Sequence, residues 1–130
     1  MKKHILSISY DKALLVTRHM LLENAGYSVT SAFGFAEAME ICSARHNFDL
    51  IVMGHSMPQK DKAALLLALR LGCSAPLVSI LRHGDSPTPH ASFYVDAQDG
   101  PLALLQLVRT ALEVNTGHDG GQLSPANAVP

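Results

Sequence analysis

Asp49-Leu50-Ile51-Val52-Met53-Gly54-His55-Ser56-Met57-Pro58 is the stretch on which the fold turns. Four consecutive apolar residues, Leu50 to Met53, run into a glycine and a polar loop. A strand without polar alternation is one covered on both faces, as central strands of parallel sheets are. Parallel neighbours need a crossover, usually a helix, so the sequence on either side should alternate strands with helices.

It does so in both directions. Towards the N-terminus, His4 to Ser9 is a short, partly β-branched apolar strand that ends near Asp11, a residue suited to cap a helix. From Lys12 to Ala25, Leu14, Leu15, Met20, Leu21 and Leu22 recur at roughly helical spacing, and Gly26 stands where a left-handed C-cap belongs. Tyr27 to Ala32 predicts a second strand, and Phe35 to Arg45 a second helix with Ala38, Ile41, Cys42 and Arg45 at three- and four-residue steps.

Towards the C-terminus, Asp61 is a candidate cap for a helix from Lys62 to Leu71, closed by Gly72, and Leu77 to Leu81 is the fourth strand. The stretch Arg82 to Ala91 holds Gly84, Pro87 and Pro89, which disfavours a regular helix, so one helix is expected to be short or missing. Ser92 to Val95 reads as the fifth strand. Gly100 and Pro101 open a final helix whose face is Leu104, Leu105, Val108, Ala111 and Leu112. Residues 1–114 are thus expected to form one domain. The segment Asn115 to Pro130, with Gly117, Gly120, Gly121, Pro125 and Pro130 and few apolar anchors, is expected to be a flexible tail.

Composition supports a packed core: 48% of the 130 residues are hydrophobic and 16% charged. The formal net charge of −1, with Lys and Arg scattered, leaves no basic stripe for a phosphate backbone, so nucleic acid is not an expected partner. No run approaches the roughly 20 apolar residues of a membrane span. Ile5 to Ile8 after Lys2 and Lys3 is too short for a secretory core, which predicts a cytoplasmic protein. Cys42 and Cys73 lack CxxC spacing and read as reduced, packed thiols.

Five strands alternating with helices make an α/β, doubly wound parallel sheet, whose functional crevice lies at the carboxyl ends of the strands. No G-x-S-x-G elbow, P-loop or G-x-G-x-x-G follows a predicted strand, so the chain does not read as an enzyme. His55, His83 and His90 have no second histidine at metal-binding spacing, and no metal or cofactor is expected.

The stretch from Asp49 to Pro58 resembles the signature of response-regulator receiver domains, in which the phosphoacceptor Asp ends the third strand and Met-Pro follows, here Met57-Pro58. Ile5-Leu6-Ser7-Ile8 before Asp11 is similar to the family's first strand. Glu23-Asn24-Ala25-Gly26-Tyr27-Ser28-Val29 is similar to its first helix-to-strand turn, and Ala36 to Met39 to its next helix. The match spans about Ile5 to Leu112 and implies a five-stranded, flavodoxin-like sheet of order 2-1-3-4-5. It also implies two-component phosphorelay signalling of bacterial type. Receiver domains take a phosphoryl group from a histidine kinase onto Asp, with Mg²⁺ on an acidic pair and the charge steadied by Ser or Thr and Lys.

Carried across residue by residue, the acidic pair falls on Ser9 and Tyr10, with only Asp11 beside them acidic. The acceptor falls on Gly54, the hydroxyl on Leu81 and the lysine on Ala97. Tyr94 matches the family's switch aromatic. The resemblance therefore implies a pseudo-receiver without the phosphoacceptor, working through contacts with a protein partner: a histidine kinase, another regulator or an output protein, with a homodimer left open. Its contact surface is expected on the last helix, Arg109 included, and on the Arg82 to Ala91 loop beside Tyr94. The alternative is a small-ligand or anion-binding module whose crevice is lined by Ser9, Tyr10, Ser56 and Arg82, with His55 and His83 nearby.

Overall fold

The computed structural model describes residues 2–44, 47–72, 74–85, 88 and 91–117. Its elements follow in the order β1 (His4–Ser9), α1 (Lys12–Asn24), β2 (Ser28–Phe33), α2 (Gly34–Ala44), β3 (Leu50–Met53), α3 (Gln59–Gly72), β4 (Leu77–Leu81), β5 (Phe93–Asp96), a single 3-10 turn (Ala97–Asp99) and α4 (Gly100–Gly117). All strand pairings are parallel and the sheet order is β2-β1-β3-β4-β5. This is the expected doubly wound sheet in its expected order.

Strand periodicity sorts the core into two layers. Ile5, Leu50, Val52, Val78 and Ile80 face one side and pack with Leu22 of α1 and with Leu104, Val108, Ala111 and Leu112 of α4. Their sequence neighbours Leu6, Ile8, Ile51, Met53 and Leu77 face the other side, against Ala38 and Cys42 of α2 and Leu65, Leu66 and Leu69 of α3. All four residues of β3 are buried, which is why its sequence shows no alternation.

Local chemistry sets most helix ends. Asp11, extended at φ −112°, accepts the Leu14 amide at 3.1 Å and caps α1 as its residue type predicts. Gly26, at φ 103°, turns the chain into β2. Asp61, the expected cap of α3, lies instead in its first turn. The Pro58 carbonyl accepts the Lys62 amide at 2.9 Å, so the helix starts at Gln59, and the Asp61 carboxylate accepts the Tyr10 hydroxyl at 2.8 Å. The edge strands β2 and β5 each lie one residue later than the sequence pattern places them. Asp96 stays in β5 because it pairs with Leu81.

Between β4 and β5 the described residues form no helix. Helix α4 continues through Gly117, three residues beyond Val114, and residues 118–130 of the segment read as a tail lie outside the described residues. Arg45, Cys73, Pro87, Pro89 and His90 also lie outside them. Among the described residues, no helix is long and apolar enough to cross a membrane.

Candidate functional site

The carboxyl ends of β1, β3 and β4 bring Ser9, Gly54 and Leu81 to one end of the sheet, with Ala97 just after β5. Tyr10 does not stay with them. Its ring joins the α2/α3 side of the core and its hydroxyl is held by Asp61. Burial first, then that hydrogen bond and the Asp61 charge, push its ionisation well above the usual tyrosine range.

Ser9 is buried and turned on its own loop. Its Oγ accepts the Asp11 amide at 3.0 Å and donates to the Asp11 carbonyl at 3.1 Å. The Asp11 carboxylate serves the α1 cap. Gly54 is held by its amide, which donates to the Ile8 carbonyl at 2.9 Å.

The residue that dominates this end is Arg18, which sequence reasoning does not single out. It lies on the core-facing side of α1 between Leu15 and Leu22 and is 8% exposed. Its guanidinium lies against Gly54: a Cβ there would meet Arg18 Nη1 at 3.1 Å, the Ile8 carbonyl oxygen at 3.2 Å and Ser9 Oγ at 3.4 Å. Small residues at Ser9 and Gly54, on the α1 side of neighbouring strands, leave the room a long cationic side chain needs. Nη1 is buried without a hydrogen-bond partner among the described residues. Burial draws the Arg18 pKa downward, opposed by the Asp11 charge. The signal in sequence is a charged residue inside an apolar stripe, at steps of three and four from Leu15 and Leu22.

His55 follows Gly54, and its Nδ1 is likewise buried without a partner among the described residues. Burial lowers its pKa, and the Arg18 and Arg82 cations lower it further against the opposing charges of Asp85 and Asp11. This end of the sheet thus favours a neutral imidazole. Arg82 and His83 are exposed, and the Arg82 amide donates to the Asp85 carboxylate at 2.7 Å. Ser56 is exposed. Arg109 is exposed on α4, about 14 Å along the helix from Gly100, and does not join this cluster.

A second polar cluster sits on the α3 side. Lys62, 4% exposed, donates to Thr88 Oγ1 at 3.3 Å, and Ser79 Oγ shares a hydrogen bond with the same oxygen at 2.6 Å. The Tyr94 hydroxyl donates to the Thr88 carbonyl at 2.5 Å. Thr88 thereby ties the β4–β5 connection to α3, β4 and β5 at once. No three side chains of His, Cys, Asp and Glu among the described residues come together to hold a metal ion.

No family model matches the sequence, and no curated protein matches it. Solved structures do. A CheY-like response regulator receiver domain protein from Methanospirillum hungatei JF-1 aligns with a TM-score of 0.75 at 21% identity, covering 89% of this chain and 98% of that one. The N-terminal domain of a response regulator/sensory box/GGDEF three-domain protein from Carboxydothermus hydrogenoformans gives 0.76 at 24% identity, covering 89% and 98%. The receiver domain of the hybrid histidine kinase CckA gives 0.69 at 25% identity, covering 84% and 98%. The fold is that of response-regulator receiver domains.

Proposed function

We propose that this chain is a pseudo-receiver: a two-component signalling module that neither binds Mg²⁺ nor accepts a phosphoryl group, and that acts in the cytoplasm by protein contact. The observation that carries the reading is the Arg18 guanidinium against Gly54. Gly54, the residue that follows β3, has no side-chain oxygen to phosphorylate, and the space a side chain there would enter already holds a buried cation.

The fit of Mg²⁺ fails on donor chemistry. A hard dication wants carboxylate oxygens, typically one or two with water completing an octahedron. Asp11, Asp61, Asp85 and Asp96 each already accept a hydrogen bond on one carboxylate oxygen, and among the described residues no three side chains of His, Cys, Asp and Glu converge on one point. A guanidinium beside Gly54 adds charge of the wrong sign. Leu81 and Ala97 supply neither hydroxyl nor ammonium.

The contact surface on this reading combines the exposed side of α4, Arg109 included, with the connection after Arg82 and with Tyr94, which is 45% exposed. Among the described residues, the Thr88 network gives that connection an attachment to α3, β4 and β5. A fixed surface loses less entropy on binding than a loose one. Arg82→Ala and Arg109→Ala should each weaken capture of the cognate protein while leaving the fold intact.

The deciding experiment is an amide NMR titration of the full chain with Mg²⁺, then with beryllofluoride in its presence. The expected result is no saturable shift at Asp11, Gly54 and Leu81. Saturable, Mg²⁺-dependent shifts there would overturn the proposal.

A further inference from the structure

Helices α2 and α3 lie side by side on one face of the sheet, and both start at the carboxyl ends of strands, so they run in the same direction. Each buries one stripe and turns the opposite one outward. On α3 the outward stripe carries Leu67 and Leu71, which are 65% and 81% exposed, with Ala63 one turn before them. Single exposed apolar side chains need no explanation, but two leucines four residues apart stand one above the other and form a ridge. On α2 the outward stripe is flat. Its exposed residues around Glu40 are Ala36, Ser43 and Ala44, none of which projects beyond a short side chain.

The charges sort by helix. Both charged residues of α2, Glu37 and Glu40, are acidic and exposed. Of the four on α3, Asp61 holds the Tyr10 hydroxyl and Lys62 is buried against Thr88, which leaves Lys60 and Arg70 on the exposed side. The Arg70 guanidinium donates to the Ala75 carbonyl at 3.0 Å and keeps its charge in doing so. One layer thus shows a flat acidic strip beside a basic ridge of leucines. That surface is complementary to itself in both shape and charge.

We propose that the outer face of α2 and α3 is a self-association surface, its occupant a second copy of this chain. A two-fold axis parallel to the helices and between them sets α2 of each copy over α3 of the other, so every contact occurs twice. Leu67 and Leu71 of one copy then seat on the alanine stripe of the other, and Lys60 meets Glu40. The helices are about 17 and 21 Å long and pack at roughly 8–10 Å. Two faces of this size together bury no more than the roughly 1,200 Å² at which the range of stable interfaces begins, so the dimer is a transient one. The surface lies across the sheet from α4 and does not depend on whether the chain accepts a phosphoryl group.

The test is sedimentation equilibrium of the full chain together with an amide NMR dilution series, from about 1 mM to about 10 µM. Association is expected with a dissociation constant on the order of 100 µM. Concentration-dependent shifts are expected at Ala36, Glu40, Leu67 and Leu71, with Val16 and Met20, the exposed apolar pair of α1, unmoved. Leu67→Ser, an exposed substitution that leaves the core untouched, should weaken association about tenfold, because the change counts twice in a symmetric dimer. Glu40→Lys and Lys60→Glu should each weaken it several-fold, and the two together in one chain should restore it, since the reversed charges still meet across the axis.

A chain that stays monomeric at about 1 mM would overturn the proposal. So would association that Leu67→Ser leaves unchanged, shifts confined to α1 or α4, or a doubly reversed variant no tighter than either single one.

Discussion

Arg18 and Lys62 occupy equivalent kinds of position on opposite faces of the sheet. Each is a long cationic side chain on the core-facing stripe of a helix, and each is more than nine-tenths buried. They differ in what meets the charge. Lys62 reaches Thr88 Oγ1, which is shared with Ser79, whereas Arg18 Nη1 ends beside a glycine with no partner among the described residues. A buried cation with a partner is a strut, and one without is a cost that the fold carries for another reason. The difference teaches that burial alone does not separate structural from functional charges; the accounting of partners does.

The strut can be broken at its shared oxygen. Thr88→Val keeps the shape of the side chain and removes the hydroxyl that Lys62 and Ser79 both use, so it should lower stability by about 3 kcal/mol. A urea denaturation series should show the midpoint fall while the slope stays unchanged. A loss below about 0.5 kcal/mol, the size of an ordinary surface substitution, would mean that Lys62 is not held by this network, and the contrast with Arg18 would collapse.

The opposite sign is expected on the α1 face. Arg18→Met replaces an uncompensated buried charge by a side chain of similar length and should raise stability by about 1–3 kcal/mol. Destabilisation in the same urea series would show that the guanidinium is satisfied in solution. Asp11→Ala, at the start of the helix that carries Arg18, removes one cap and should cost about 1 kcal/mol. Asp11→Asn should restore most of that, since an amide oxygen also accepts the Leu14 amide, whereas failure to restore it would assign the effect to the charge facing Arg18.

Much of this architecture is legible in the sequence, because its causes are local or periodic. The limits of β1, β3 and β4 coincide with the apolar runs, as they do when both faces of a strand are covered. The edge strands are shifted by one residue, because a half-exposed strand has no sharp change of hydropathy at its ends. Asp61 has the residue type and place of a cap but does not act as one. A carboxylate near a helix start has two outlets, and the Tyr10 hydroxyl, 51 residues away, supplies the one used. The positions Ser9, Gly54 and Leu81 follow from strand ends and so can be placed. Arg18 and Lys62 are hard to see because the apolar members of their stripes define the helix face by themselves. What each cation meets depends on strand order, which brings Gly54 and Thr88 next to helices far away in the chain.

The subtlest consequence of the contrast is a proton. The folded state holds the His55 pKa below the ordinary 6.5, through burial first and the Arg18 charge second. As pH falls from 6.5 towards that lowered value, the unfolded chain binds a proton at His55 that the folded chain does not, so stability declines across this window and is fully retained above it. His55→Gln should flatten that part of the stability profile. Arg18→Met should move the His55 ring titration, followed by NMR, upward toward the ordinary value, because one of the two cations acting on it is gone. Lys62→Met should leave it where it is, since Lys62 is not among the charges that shift it. An upward movement in both variants would mean that His55 senses general loosening of the fold. Movement in neither would place the Arg18 charge too far from the imidazole to matter, leaving desolvation as the main cause of its shift.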